Sequence, residues 1–96
     1  MNNNVHEILL ITQEECAEVT QAISKVFRFG FSSKHPVSGK SNLASLEEEV
    51  GDLLCMIDLL LAECVIDGQR VMEAKVRKSE KLNTWSNIKT EVKADE

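Results

Sequence analysis

The sequence predicts an all-α chain, a compact helical bundle whose core is completed by self-association. Three observations predict it. Apolar residues make up 43% of the 96 residues while aromatics make up only 4%, so the apolar content is mainly Leu, Ile, Val and Ala, which suits packed helices. One Pro and four Gly leave few places to break a helix. Apolar residues also recur at three- and four-residue steps through long segments. A chain this short buries a limited share of its surface and has a marginal core of its own. The expected organisation is one helical domain over residues 1–86 and a polar, frayed tail over 87–96.

The first helix is expected from about Asn4 to Phe29. Val5, Ile8, Leu9, Thr12, Cys16, Val19, Ala22, Ile23 and Val26 form its stripe. Asn residues before Val5 are suited to cap it, and Gly30 is suited to end it, with Arg28 in the last turn. From Gly30 to Asn42 the composition turns to Gly, Ser and the single Pro, which marks a loop. That loop carries Lys34, His35 and Lys40 and no acid, and it is read as a solvated connector that a phosphate would suit. The second helix is expected from Leu43–Ser45, where Ser45 and Glu48 match a capping box, through to Ile66. After Asp52 it is apolar almost all round, the mark of a helix buried on every side. In so short a chain the missing cover is expected from a second copy, in a homodimer or homotetramer. Asp67 and Gly68 make a turn, with Asp67 as a cap, and a third helix is expected from Gln69 to Lys81 or beyond.

The formal net charge of −5 excludes a basic nucleic-acid coat, so no nucleic-acid partner is expected. A polyphosphate remains compatible if a cation neutralises the site. Cys16, Cys55 and Cys64 form no CxxC pair and sit in apolar helical patterns, which predicts buried, reduced thiols. The N-terminus has no basic region and only a short apolar run, so no signal peptide is expected. Leu53 to Ile66 is too short and too interrupted by Asp58 and Glu63 to span a bilayer. A cytoplasmic protein without membrane contact is expected.

The chemistry lies in the acids. Glu15 and Glu18 project about 60° apart on one helical face, and Glu14 and Glu18 about 40° apart. The second helix opens with another i, i+3 acidic pair, Glu49 and Asp52, with Glu48 on a neighbouring line. Like charges at these spacings repel. Two such pairs on packed helices call for a cation between them. All-oxygen ligands select Mg²⁺ or Mn²⁺ over Zn²⁺. A di-iron site would need Glu-x-x-His pairs, and neither His6 nor His35 lies three residues after a Glu. No EF-hand loop occurs. Gly51 inside the second helix costs roughly 1 kcal/mol relative to Ala, which suits a close approach by a ligand or another backbone.

Glu14-Glu15-x-x-Glu18, a spacer, then Glu49-x-x-Asp52 resembles the signature of the MazG-like all-α nucleoside triphosphate pyrophosphohydrolases, in particular small single-domain versions such as phages encode. The resemblance covers about Val5 to Lys81. It implies a tight dimer or dimer of dimers, and conversion of a nucleoside triphosphate, often a deoxynucleotide, to the monophosphate and pyrophosphate. By motif position Glu15, Glu18, Glu49 and Asp52 would ligate Mg²⁺, and Glu14 beside them would orient water or a second ion. The spacer is longer than is usual in the family. In the third helix Lys75 and Lys78 match the family pattern, Ser79 stands where Asn is common, and Lys81 is close to the expected basic position.

The implied mechanism is attack of water on the α-phosphorus, with Glu14 as a nearby base and Lys75, Lys78 and Lys81 on the phosphates. No Ser-His-Asp or Cys-His arrangement suggests covalent catalysis. Asp58 is expected to pair with a Lys or Arg of a neighbouring helix, the alternative being that it faces the site cavity. Phe27, Phe29, Phe31 and Trp85 are read as core or interface packing rather than base-stacking groups. The alternatives are the same site acting on phosphoribosyl-ATP or a modified nucleotide, and a non-catalytic helical assembly module. The location is the cytoplasm, the host's if the chain is phage-encoded.

Overall fold

The structure, a computed structural model, describes residues 1–89. It contains α1 (Asn3–Phe29), α2 (Asn42–Ala62) and α3 (Gly68–Trp85), and no strand among the described residues. None of these helices is long and apolar enough to cross a membrane. Met1–Glu63 form one compact unit and the chain from Cys64 a second.

In the first unit α1 starts where Asn2 caps it, its Oδ1 accepting from the Val5 amide at 2.7 Å. It stops at Gly30, whose φ of 88° only glycine adopts cheaply and whose N–H donates to the Val26 carbonyl. Ile8 and Ala22 are buried along the predicted stripe, with Thr12, Val19 and Val26 half-buried. On α2 the buried residues are Met56 and Leu60, and α1 and α2 pack on each other.

The α1–α2 pair is antiparallel, and polar bonds pin both ends. Asn4 Nδ2 donates to Glu63 Oε1 at 3.2 Å. At the other end Asn42 Nδ2 donates to the carbonyls of Gly30 at 2.9 Å and Lys25 at 3.5 Å. Antiparallel neighbours keep a constant sum of residue numbers. The sum shared by Asn4–Glu63 and Lys25–Asn42 also sets Glu15 level with Asp52 and Glu18 level with Glu49.

α2 begins earlier than the sequence suggests. Its cap is Ser41, whose Oγ accepts from the Ala44 amide at 3.1 Å, and not Ser45. The connecting loop decides this. The Asn42 and Leu43 amides are taken by the Ser33 and Phe31 carbonyls at 2.9 and 3.0 Å, so the first turn is satisfied from outside the helix. The loop is hydrogen-bonded throughout. Lys34 bridges to Ser41, the His35 amide donates to the Lys40 carbonyl, and His35 Nδ1 accepts from the Val37 and Ser38 amides. Lys40 closes it onto α2 through an ion pair with Glu48. Both partners are substantially exposed, so solvent and salt screen the pair and it adds little to stability.

At its far end α2 stops at Ala62, four residues short of the predicted Ile66, because Cys64 turns the backbone left-handed at φ 55°.

Several burial expectations are corrected. All three cysteines are free but exposed. Phe27, Phe29, Phe31 and Trp85 are 55–87% exposed, so the core half of their core-or-interface reading fails. Asp58 is exposed and has no ion-pair partner among the described residues. A side chain at Gly51 would meet nothing within 4 Å, so no backbone among the described residues requires glycine there. The common reason is that helical periodicity shows which residues share a face, not whether anything covers that face.

In the second unit Asp67 caps α3 as expected, accepting from the Gln69 and Arg70 amides at 2.8 and 3.1 Å. Met72, Val76, Ser79 and Leu82 form its least exposed line. Asp67→Ala is expected to remove about 1 kcal/mol of helix stability, read as lost ellipticity at 222 nm and an earlier melt of this unit. Residues 87–89 are non-helical and exposed. The rest of the expected polar tail, 90–96, lies outside the described residues.

Candidate metal centre

The register of α1 against α2 turns two acidic pairs into a cluster. One carboxylate oxygen from each of Glu15, Glu49 and Asp52 lies within 4.8 Å of the others. Glu15 and Glu49 are half-buried and Asp52 is exposed, so the cluster opens to solvent on one side. Glu15 Oε2 is shielded from solvent and has no hydrogen-bond partner among the described residues. A charged oxygen left in that state is unfavourable unless something binds it.

Electrostatics agree with the geometry. The Glu15 carboxyl is pushed above the ordinary range, first by removal from solvent and then by the charges of Asp52, Glu18 and Glu14. Glu49 is raised for the same reasons, removal from solvent first, then Glu18, Asp52, Glu15 and Glu48. Lys40 is raised, chiefly by its hydrogen bond to Glu48 and then by that residue's charge, with Glu49 and Asp52 adding to it.

A divalent cation fits these residues. The donors are all oxygen, as hard cations require. Oxygens on opposite sides of a Mg²⁺ ion stand about 4.2 Å apart, close to the span of the trio. The orphaned Glu15 oxygen is the atom that a cation would satisfy.

The predicted site residues fall into three groups. Glu15, Glu49 and Asp52 form the trio. Glu14 and Glu18 are exposed on α1 and outside it, although both charges act on Glu15. Glu18 and Glu49 also line a cavity of about 100 Å³ with Gln21, Ala22, Lys25 and Ser45. Lys75, Lys78 and Lys81 follow one another at i, i+3 steps on α3 and are exposed, in the second unit.

Sequence reasoning missed Lys25 and the cavity role of Ser45. Lys25 lies seven residues after Glu18, two turns along the same face, which was the available signal.

A stability consequence follows from the raised carboxyls. A raised value means that folding favours the protonated form, so the associated stability is present below about pH 4.5 and lost as pH rises through the raised values. Cation-free protein is therefore expected to melt at progressively lower temperature as pH is raised from 4.5 to 7.5. Saturating Mn²⁺ should flatten that trend. A cation-free melting temperature that rises over this range, unaltered by Glu15→Gln, would contradict the repulsive cluster.

No curated protein and no solved structure matches the chain. The family model described as the MazG nucleotide pyrophosphohydrolase domain matches residues 3–84, taking in all three helices. That match covers most of the chain, and with three carboxylates gathered at one point in the structure the chain belongs to the MazG nucleotide pyrophosphohydrolase family, metal-dependent hydrolases that act on the phosphoric anhydrides of nucleoside triphosphates.

Proposed function

We propose that the protein hydrolyses (deoxy)nucleoside triphosphates to the monophosphate and pyrophosphate, using Mg²⁺, with Mn²⁺ as a substitute, held by Glu15, Glu18, Glu49 and Asp52. The observation that carries this reading is the unpartnered Glu15 oxygen within the three-carboxylate cluster. When bound, the cation neutralises phosphate charge and acidifies water.

The chain's own groups divide the remaining work. Glu14, exposed beside Glu15, takes the proton of the attacking water. The water oxygen bonds to the α-phosphorus as the bond to the α–β bridging oxygen breaks. Lys75, Lys78 and Lys81 hold the departing pyrophosphate. Glu18, level with Glu49, completes the ligand set on the α1 side.

The active form is a homodimer or homotetramer, since Leu10, Leu54 and Ile23 are 41–54% exposed on the α1–α2 pair and lack cover from this chain. It works in the cytoplasm without nucleic-acid or membrane partners.

The test is pyrophosphate release from a panel of dNTPs, NTPs and phosphoribosyl-ATP, with Mg²⁺ and with EDTA. Release from at least one dNTP, abolished by EDTA, is expected. No release from any dNTP at micromolar enzyme would overturn the reading.

A further inference from the structure

We propose that a second cavity of the first unit, walled by Phe29, His35 and Asn42, takes the nucleoside of the substrate, and that Lys25 at its mouth holds the triphosphate. The inference rests on the proposed function and adds a subsite to it.

This cavity measures about 240 Å³. It is smaller than the roughly 300–1,000 Å³ of pockets that hold whole drug-sized ligands, which suits a base with part of its sugar. Lys25 and Ser45 line both this cavity and the smaller one bounded by Glu18 and Glu49. The two are therefore adjacent, and a single extended molecule reaches from the carboxylates past Lys25 into the larger space.

The walls have the chemistry of a base site. Phe29 is 57% exposed, which leaves aromatic surface available for stacking, and the Arg28 guanidinium lies 5.0 Å from its ring centroid. Pro36 adds apolar wall. The His35 ring is held by two backbone amides on Nδ1, from Val37 at 3.1 Å and Ser38 at 3.3 Å. Its Nε2 has no partner among the described residues. Asn42 spends its Nδ2 on the Gly30 and Lys25 carbonyls, which leaves Oδ1 to accept from a base. A fixed ring nitrogen and a fixed amide oxygen beside an aromatic face are what orient a base.

The phosphates belong at the other end. The first-turn amides of α2 at Asn42, Leu43, Ala44 and Ser45 all have acceptors within the chain, so this helix start offers no free N–H to an anion. Lys25 is the cation common to both cavities.

The chain contains only two histidines, His6 and His35, so His35 is readily followed by NMR. Deoxynucleoside monophosphates are titrated into the protein in EDTA, so that binding is read without the cation. The His35 ring signals are expected to shift saturably while those of His6 stay still. Phe29→Ala should weaken binding by about five- to one-hundred-fold, the range of one base stacked on an aromatic ring, and Phe29→Trp should restore it. Lys25→Met should weaken a dNTP more than a dNMP. Circular dichroism confirms that each variant is folded.

An unmoved His35 with every dNMP, in a protein that hydrolyses dNTPs, would overturn the subsite and leave the proposed function standing. A saturable His35 shift in a protein that hydrolyses none would support the subsite and overturn the function. Unchanged dNMP affinity in folded Phe29→Ala would also overturn the subsite.

Discussion

Asp52→Asn is expected to lower dNTP turnover by on the order of 100-fold or more, and to leave the cation-free fold as stable as before or more so. Asp52 contributes one of the three convergent carboxylates, and its charge raises both Glu15 and Glu49. Removing that charge relieves repulsion in the resting protein and weakens the cation site that neutralises substrate. The two effects have opposite signs, which separates this account from general damage. A destabilising substitution would lower turnover and melting temperature together. Mn²⁺ titration followed by electron paramagnetic resonance should show affinity falling in parallel with turnover. Full activity in Asp52→Asn would remove it from the ligand set.

Leu54→Lys is expected to split the assembly. Leu54 is 54% exposed on α2, in the stretch that the sequence marks as apolar nearly all round. Burying a Leu fully stabilises by about 1.5–3 kcal/mol, and placing an ammonium at the same point of an apolar interface opposes association further. Light scattering should give at least twice the 10.8 kDa chain mass for the unsubstituted protein and a value near the chain mass for the variant. A stable monomer before substitution would contradict the proposed assembly.

The legible parts of the fold are those governed by local chemistry. Asn2, Gly30 and Asp67 act as caps because short polar side chains and a Cβ-free backbone serve helix ends wherever they occur. The start of α2 was not legible, since Ser41 and Ser45 are both N-cap residues by type and only Ser45 has an acid three residues on. The choice falls to the carbonyls of Phe31 and Ser33, about ten residues upstream.

The site divides in the same way. Spacing places Glu15 with Glu18 and Glu49 with Asp52 on helical faces. The level of one helix against the other, marked by Asn4 with Glu63 and Asn42 with Lys25, is a tertiary relation that no local pattern encodes. The exposed cysteines show the same limit, because a stripe has a direction before it has a partner.

The central claim is that the carboxylate cluster directs water to the α-phosphorus. The most direct measurement is ³¹P NMR of a hydrolysed dNTP in ¹⁸O-enriched water with Mg²⁺. The account predicts monophosphate and pyrophosphate in equal amounts, with the isotope shift on the monophosphate alone. Diphosphate with labelled orthophosphate would contradict it.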